Sequence, residues 1–444
     1  MFKVELTTAP KDFSFYQQEK GYADVELKGK FYIEDYEPTA LPYAKVVDEK
    51  SGVTVIGWTP FKTDGDNCSV TFKIPAGYSY TIHICIFRKD WFAYRFYEDY
   101  IHHIGVGDIF IIAGQSNAQG NGFGEYENLI HNGIYNFKYC ESWALADHPL
   151  NWLDRSIKFG QGIYGPHIRT AKDLVNQTGI PVGFVSCAVG GVPIKRWNKH
   201  LGGDLYEGML SYVKKAGGKV AGVIWYQGCD DALKEETAKA YYDNFAQMVQ
   251  DFRDDLGIKD LPFFTYQLNT LHNNEGYSDG PFSLMREQQR RAAQDLKNVY
   301  IVPTFGAAKS DNAHNSVEGC NLIGRRMARL IMSVLYKKYE MPVIPNVQKV
   351  TKSGKNKIKV QFQKGVILTA GELPSGKVEI TVFDQKGINN YKEYKLHKNT
   401  ITLTLERAVE GEATVHGCYG KAPSGLILRD FSYNMPILGF SKKL

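Results

Sequence analysis

The middle of the chain alternates between short apolar runs and amphipathic segments, and this alternation constrains the fold more than any other feature. Five runs typical of buried strands, DIFIIAG, PVGFVSCAVGG, AGVIWYQG, PFFTYQL and VYIVPTFG, begin at residues 108, 181, 221, 262 and 299. Helical patterns lie near 166–178, 205–216, 234–256, 281–296 and 318–338. Strands that alternate with helices pair in parallel, so the sequence predicts an α/β domain with helices on both faces of a parallel sheet.

Strand-rich segments stand on both sides of this domain. The first hundred residues hold ADVELKGKFYI and YTIHICIFR, and the last hundred hold KIKVQF, KVEITVF and TITLTL. Alternating β-branched and aromatic residues between turn signals are typical of small sandwiches. We therefore predict an N-terminal β-sandwich region at 1–105, the α/β domain at 106–338 and a C-terminal β region at 339–444.

Composition excludes several classes of protein. The chain has 444 residues, 43% of them hydrophobic and 23% charged, with a net charge of +5 that is spread along the sequence. No basic stripe indicates a nucleic-acid partner. The most apolar stretch, Val106–Ala113, is too short to span a bilayer, so no membrane partner is expected.

Cysteine usage points to a reducing compartment. The seven cysteines have irregular spacing and no Cys-x-x-Cys pair, which argues against a disulfide framework or a structural zinc site. We expect no metal and no cofactor. The first twenty residues lack the apolar core of a signal peptide, so we expect a cytoplasmic protein, with a trimmed secretion signal left open.

The tightest chemical cluster is Gly114-Gln115-Ser116-Asn117, directly after the run DIFIIAG. A serine at the carboxyl end of a parallel strand lies where α/β folds form their ligand crevice. Gln115 and Asn117, which flank it, are candidates for substrate binding. A turn with an ordinary helix cap would use the same residue types, so Ser116 alone decides nothing.

A second cluster, Asp311-Asn312-Ala313-His314, precedes the last predicted helix. An aspartate three residues before a histidine can accept the Nδ1–H of the ring while Nε2 faces outward. A nucleophilic serine needs such an oriented base, because an unaided hydroxyl is a poor nucleophile. The two clusters together predict a catalytic set in which Ser116 is the nucleophile, His314 the base and Asp311 its orienting partner.

Two further strand ends supply possible oxyanion donors. Gly190-Gly191 and Gln227 follow predicted strands at the same edge of the sheet as the serine, although a glycine pair is also typical of an ordinary tight turn. Arg196 and Trp197 come soon after the glycines and are candidates for lining a pocket. Trp197 could equally pack beneath that pocket.

Here the sequence resembles a known family. The segments IIAGQSNAQG, VSCAVGGVPIKRW, VIWYQGCDDA and SDNAHNSVEGCNLIGRRMA occur in the order of the SGNH-hydrolase blocks, and they are most similar to sialate O-acetylesterase-like carbohydrate esterases. The tail CYGKAPSGLILRDFSYNMPILGF resembles the end of that family's C-terminal β region. The likeness covers about residues 100–444. It implies an SGNH (flavodoxin-like) three-layer parallel-sheet hydrolase domain at 106–338, flanked by N- and C-terminal β-sandwich regions.

The resemblance also implies roles for the site residues. Ser116 would attack an acetyl carbonyl, His314 would move the proton, and Asp311 would hold the ring. The backbone N–H of Ser116, the turn at Gly190 and Gly191, and the side chain of Gln227 would form the oxyanion hole.

Three positions depart from the family pattern. Val192 replaces a threonine, and Cys229 replaces a glutamate. Asp230 stands where an asparagine is usual, and a carboxylate cannot donate a hydrogen bond unless it is protonated. The oxyanion role of that asparagine would then fall more heavily on Gln227. Cys229 as a nucleophile is the alternative to a buried thiol at a strand end.

The expected activity is that of a carbohydrate O-acetylesterase, first of all a sialate O-acetylesterase, working through an acyl-serine intermediate. The alternatives are an acetylxylan or acetylmannan esterase with the same chemistry, a non-enzymatic carbohydrate-binding protein, and a lipase-type α/β-hydrolase. The last is disfavoured because the nucleophile motif is GxSxA rather than GxSxG. The expected partner is an O-acetylated sugar or glycan, and a homo-oligomer is possible. Arg196 or Arg286 could hold a sialate carboxylate, although Arg286 is expected on a helix surface.

Overall fold

The structure is a computed structural model that describes residues 2–34, 39–88, 95–127, 130–138, 140–151, 164–273, 275–340, 342–371 and 376–444. The strands of the first half are β1 (Lys3–Thr8), β2 (Phe15–Gln17), β3 (Tyr22–Tyr32), β4 (Ala40–Asp48), β5 (Thr54–Pro60), β6 (Lys62–Asp64), β7 (Asn67–Pro75), β8 (Gly77–Arg88), β9 (Arg95–Gly114), β10 (Ile134–Lys138), β11 (Ser142–Leu145), β12 (Val182–Ser186) and β13 (Gly222–Tyr226). Those of the second half are β14 (Phe263–Tyr266), β15 (Val299–Val302), β16 (Val347–Gly354), β17 (Lys357–Phe362), β18 (Leu368–Thr369), β19 (Ile380–Asp384), β20 (Gly387–Ile388), β21 (Tyr391–His397), β22 (Thr400–Leu405), β23 (Thr414–Gly417), β24 (Arg429–Asp430), β25 (Met435–Pro436) and β26 (Phe440–Lys443). The helices are α1 (Ser116–Gln119), α2 (His167–Thr178), α3 (Asp204–Lys215), α4 (Glu235–Asp255), α5 (Asp279–Asp295) and α6 (Val317–Leu335), with 3₁₀ turns at Ile194–Trp197, Lys199–Leu201 and Asp230–Leu233.

The central sheet has the strand order β11-β10-β12-β9-β13-β14-β15. Every neighbouring pair on this path is parallel except β10 with β11. Strands β12 and β13 are buried along their whole length, as expected when helices cover both faces of a parallel sheet. All five predicted strands and all five predicted helices are present, so the prediction of a mixed α/β chain is confirmed. Strands β10 and β11 had not been predicted.

Strand β9 is long enough to belong to two parts of the molecule. Its first half pairs antiparallel with β8, and its second half pairs in parallel with β12 and β13. It therefore runs without a break across the boundary predicted between residues 105 and 106. The N-terminal β region and the central sheet share this strand, and the three domain limits stay a prediction.

Both terminal regions are built from strands. In the N-terminal region β1, β3, β7 and β6 form one sheet, while β4 and β5 extend the sheet that contains β8. Burial alternates along β3 and β7, because one face of each strand covers an apolar core. The C-terminal region contains three small sheets around a second core that includes Ile358, Leu403 and Val415.

Helix α5 holds the C-terminal region through one buried arginine. Arg286 has no exposed surface, and its guanidinium lies over the rings of Phe282 and Phe305 at 4.7 and 4.8 Å. Its N–H groups donate to the backbone carbonyls of Leu268, Asn269, Cys418, Gly420 and Lys421. The prediction that Arg286 lies on a helix surface is wrong, because the C-terminal strands cover the side of α5 that carries it.

Three absences hold for the ranges that the structure describes. No helix there combines the length and the apolarity needed to cross a bilayer. No three or more His, Cys, Asp or Glu side chains come together there in a way that could hold a metal ion. All seven cysteines are free thiols. The cellular compartment stays a prediction.

Replacing Arg286 by methionine should destabilise the protein strongly. Methionine fills a similar volume but leaves five backbone carbonyls without their shared donor, and each unsatisfied buried group costs about 1–3 kcal/mol. We expect the free energy of unfolding to fall by about 3 kcal/mol or more, measured by chemical denaturation. The matched control is Arg325→Met on exposed α6 surface, which should change stability little. Equal stability of the two variants would contradict the anchoring role of Arg286.

Candidate active site

The nucleophile candidate sits on a sharp turn between strand β9 and helix α1. Gly114 ends the strand with φ 132°, and a Cβ atom there would lie 2.3 Å from the carbonyl oxygen of Tyr226 on the neighbouring strand. Only glycine permits this close approach. Gln115 is extended, and Ser116 is the first residue of α1, which Gly120 closes in the left-handed conformation. The turn therefore places Ser116 at the carboxyl edge of the sheet.

Gln115 fastens this turn to the end of the next strand. Its Oε1 accepts hydrogen bonds from the N–H groups of Gly228 and Cys229, both at 2.8 Å. Its Nε2 donates to a carboxylate oxygen of Asp230 at 2.9 Å. The side chain is buried and both ends of its amide are hydrogen-bonded, so the structure gives Gln115 a positioning role rather than the predicted contact with substrate.

Asn117 brings the histidine loop to the nucleophile turn. Its Oδ1 accepts from the backbone N–H of Asn315 at 3.1 Å, and its Nδ2 donates to the carbonyl of Ala313 at 3.2 Å. Ala313 and Asn315 stand immediately before and after His314. The neighbour of Ser116 therefore grips the backbone on both sides of the histidine. Asn117 is buried, which again indicates positioning rather than the predicted binding of substrate.

Asp311 orients the His314 ring as the spacing predicts. The Asp311 Oδ2 lies 2.6 Å from His314 Nδ1, and Oδ1 accepts the N–H groups of His314 and Ala313 at 2.6 and 2.7 Å. Burial alone would raise the pKa of Asp311, but the hydrogen bonds from His314 and Ala313 outweigh burial and lower the pKa below the usual value. Asp311 is thus a carboxylate at neutral pH, and it holds the imidazole with Nε2 free.

The structure brings the Ser116 segment and the His314 segment together, but the two side chains do not form a hydrogen bond. Ser116 and His314 are both described, and no hydrogen bond joins the serine hydroxyl to the ring. Such catalytic hydrogen bonds are often long in a free enzyme and shorten when substrate is bound. The roles of Ser116, His314 and Asp311 stay predictions, supported by the backbone hydrogen bonds that join their two segments.

The predicted oxyanion donors include a glycine that lies close to Ser116. A Cβ atom on Gly190 would lie 3.6 Å from the Cβ of Ser116, so this glycine is next to the nucleophile. Within the described ranges, the N–H groups of Ser116, Gly190 and Gly191 donate to no protein acceptor. Gly191 adopts φ 65°, as in an ordinary turn. Ser116 and Gly190 are therefore the better donor pair.

Gln227 does not offer its amide to this site. It has no exposed surface, and its two Nε2 hydrogens are used by the carbonyl of Val192 at 3.1 Å and by Asp231 at 2.6 Å. Its predicted role is corrected to that of a buried support beneath the glycine loop. Asp231 also accepts the N–H of Ile194 at 2.8 Å, and burial raises the pKa of Asp231 to about 6. Sequence reasoning had not singled out Asp231.

The two unusual residues after Gln227 are explained by their surroundings. Burial raises the pKa of Asp230, and this carboxyl accepts a hydrogen bond from Gln115 rather than donating to a ligand. Burial, helped by the nearby charge of Asp230, raises the pKa of the Cys229 thiol to about 12. A thiol with so high a pKa is not a thiolate at neutral pH, which argues against Cys229 as nucleophile.

Arg196 and Trp197, which follow the glycine turn, are not placed to contact a ligand in the way predicted. Trp197 is fully buried and packs edge-on against Trp225 with ring centroids 5.6 Å apart. It supports the loop from beneath. Arg196 is partly exposed, and its Nε donates to Asp204 at 2.9 Å in a bidentate ion pair with that carboxylate. Its guanidinium is therefore already engaged by an acid of helix α3.

Two positioning residues, His167 and Lys309, had escaped sequence reasoning. His167 Nε2 lies 2.8 Å from the carbonyl of Ala118 in α1, and burial lowers the pKa of His167 to about 4, so the neutral ring braces the nucleophile helix from behind. Lys309 donates to the carbonyls of Thr270 and Asn312 and supports the Asp311 loop. No sequence pattern pointed to either residue.

Replacing Gly114 by alanine should disrupt the nucleophile turn. The new methyl group would contact the Tyr226 backbone at 2.3 Å and would also force a left-handed φ. We expect the free energy of unfolding to fall by about 3 kcal/mol. Gly179→Ala is the matched control, because Gly179 has φ 73° but open space around it, and we expect a loss of about 1 kcal/mol. Denaturation curves that show equal losses would contradict the close-approach argument.

Comparison with known proteins shows which family the chain resembles. A sequence model of carbohydrate esterases described as sialic acid-specific acetylesterases matches residues 106–333, slightly more than half of the chain. A probable carbohydrate esterase of Arabidopsis thaliana is 28% identical over 250 residues, which cover 52% of this chain and 92% of that protein.

Solved structures show where the fold recurs. A carbohydrate acetylesterase from Xanthomonas citri matches with a TM-score of 0.68 at 19% identity, over 99% of both chains. The crystal structure of an Arabidopsis thaliana protein matches with a TM-score of 0.45 at 28% identity, over 51% of this chain and 98% of that one. The match to residues 106–333 shows that the chain belongs to the family of carbohydrate esterases described as sialic acid-specific acetylesterases.

Proposed function

We propose that this carbohydrate acetylesterase is a serine enzyme of the SGNH type that removes O-acetyl groups through an acyl-serine intermediate. The observation that carries the proposal is the grip of Asn117 on the backbone either side of His314. It holds an oriented imidazole beside a serine at the carboxyl edge of a parallel sheet. The three-layer, flavodoxin-like description of the hydrolase domain belongs to the same proposal, supported by the parallel strand order.

Ser116, His314 and Asp311 would each have a separate role in the hydrolysis of the acetyl ester. Ser116 Oγ attacks the acetyl carbonyl carbon while His314 Nε2 removes the hydroxyl proton. The Asp311 carboxylate stabilises the resulting imidazolium and keeps Nδ1 as its donor. His314 then gives its proton to the departing sugar oxygen, which leaves the acetyl group on Ser116. Water activated by His314 attacks this ester, releases acetate and restores the serine.

The backbone N–H groups of Ser116 and Gly190 would stabilise the negative oxygen of each tetrahedral intermediate. Donors of this kind act strongly because they are fixed before the charge develops, and losing one typically slows an enzyme by about a hundred- to thousand-fold. The buried supports Gln227 and Asp231 hold the glycine loop, so they act on this step only through geometry.

The identity of the nucleophile can be tested by two substitutions at neighbouring strand ends. Ser116→Ala removes the attacking oxygen, and we expect hydrolysis of an aryl acetate to fall by at least about 10³-fold with an unchanged circular dichroism spectrum. Cys229→Ala removes a thiol that stays protonated, and should keep most of the activity. A folded Ser116→Ala enzyme with full activity would remove Ser116 from the mechanism, and a dead Cys229→Ala enzyme would point to the thiol instead.

The sugar is proposed to be an O-acetylated sialate, supported by the description of the matching family. One observation favours the alternative of an acetylated xylan or mannan. A sialate carries a carboxylate, yet Arg196 is paired with Asp204 and Arg286 is buried under the C-terminal region. Both arginines that could have held that carboxylate are therefore engaged elsewhere.

A paired assay separates the two substrates. Acetate release should be measured from O-acetylated sialic acid and from acetylated xylan at equal acetyl concentration, with Ser116→Ala as the blank. The sialate proposal expects a higher kcat/KM on the sialate. Faster release from xylan would favour the neutral polysaccharide and leave the serine chemistry intact.

A further inference from the structure

A large cavity lies far from Ser116, at the opposite end of the central strands. It has a volume of about 670 Å³ and opens between the N-terminal β region and the end of helix α3. Ile109 of strand β9 lines it, and Ser116 follows the other end of the same strand. The five residue steps from Ile109 to Gly114 span about 17 Å of strand. We call this cavity the basal cleft.

The floor of the basal cleft is a fixed aromatic pair. Phe15 and Trp143 line it with ring centroids 5.4 Å apart. Phe15 fits against backbone that carries no side chains, because a Cβ atom on Gly105, Gly107 or Gly183 would lie within 2.9 Å of its ring. The floor is thus close-packed, and the cleft is a formed feature rather than loose packing.

The rim carries an exposed aromatic ring under a lysine. Tyr22 is 43% exposed, and Lys73 Nζ lies 5.2 Å from the centre of its ring. This cation–π contact holds the ring at the cleft mouth. Aromatic faces at the edge of a polar cleft offer an apolar surface against which the C–H face of a sugar ring can pack.

The charges around the cleft are mainly positive. Four lysines line it, against two carboxylates: Lys20, Lys73, Lys215, Lys219, Glu19 and Asp24. Lys219 pairs with Glu19, and Lys215 pairs with Glu141 outside the cleft. In the described ranges Lys20 and Lys73 have no ion pair, although Asp24 lies opposite Lys73 in the strand register. Two cations are therefore available to a ligand.

We infer that the basal cleft is a second, non-catalytic binding site for an oligosaccharide that carries a carboxylate. Its volume lies within the usual range of about 300–1,000 Å³ for ligand pockets. Aromatic rings would hold the sugar rings, Lys20 and Lys73 would hold the acid group, and the carboxylate of Asp24 would accept hydrogen bonds from hydroxyls. Because the family acts on carbohydrates, a chain bound here would keep a polymeric substrate close to the enzyme while Ser116 acts on another part of the same polymer.

The test uses a ligand that the esterase cannot turn over. Isothermal titration should compare a xylo-oligosaccharide bearing one glucuronate branch with the same oligosaccharide lacking that branch, neither of them acetylated. We expect the acidic probe to bind about tenfold more tightly than the neutral one. The double variant Lys20→Gln/Lys73→Gln should weaken its binding about tenfold, since each exposed charge contact contributes little alone. Tyr22→Ala should weaken both probes.

Controls separate this site from the catalytic one. Lys349→Gln/Lys352→Gln removes two exposed lysines of the C-terminal region and should leave binding unchanged, as should Ser116→Ala. All the cleft variants should keep wild-type hydrolysis of an aryl acetate. The inference is overturned if the acidic probe does not bind, if both probes bind equally, or if the Lys20/Lys73 variant binds like wild type. Failure of the serine mechanism would appear only in the hydrolysis assay.

Discussion

The site depends on one side chain that joins two segments almost two hundred residues apart. Asn117 uses both ends of its amide to hold the backbone on either side of His314. Asn315 extends this contact, because its Nδ2 donates to Asn117 and its Oδ1 accepts from Asn269 at 2.8 Å. Buried networks of this kind keep their geometry because every broken hydrogen bond would leave an unsatisfied polar group in a low-dielectric interior. The position of His314 relative to Ser116 is thus set by buried hydrogen bonds of Asn117 and Asn315.

Buried polar contacts also attach the C-terminal region to helix α5. Arg286 satisfies five carbonyls from two regions of the chain, and Arg290 on the next turn forms a buried ion pair with Glu287 at 2.7 Å. Glu287 in turn accepts the N–H of Ser441 at 3.0 Å. The C-terminal strands are therefore attached to the central domain through charged groups that are largely buried. Loss of these strands would expose Arg286, Arg290 and Glu287 to water.

Much of this architecture could be predicted from local pattern. The apolar runs around Ile111, Val185 and Val223 predict parallel strands, because the side chains of each run are apolar on both faces of the strand. The Asp311–His314 spacing also acts locally, since three residues suffice to form the observed hydrogen bonds. The predictions that were wrong concern residues whose surroundings are formed by segments distant in the sequence. Gln227 follows the end of β13 and Trp197 follows the glycine turn as expected, but both side chains are fully buried.

Arg286 shows the same limit in another way. Its helix pattern could not reveal that strands beyond residue 415 cover it. Strands β10 and β11 were missed because runs such as IYNFK are short and mixed in character, and they become strands through pairing with β12 and with each other. Sequence pattern reports the preferences of a segment, whereas these outcomes were decided by what packs against it.

The continuity of strand β9 has a consequence for any attempt to trim the enzyme. The Arabidopsis thaliana relative aligns with only 52% of this chain, which invites excision of the hydrolase domain alone. Cutting near residue 105 would sever the strand that carries Ser116 and strip β8 from its side. The remaining segment would present the N–H and C=O groups that β2 and β8 had paired on β9. Trp143 would also lose its contact with the Phe15 ring, and bare edges of this kind recruit other chains. The N-terminal region therefore covers part of strand β9 in the central sheet. A shortened chain would need a redesigned edge on that strand.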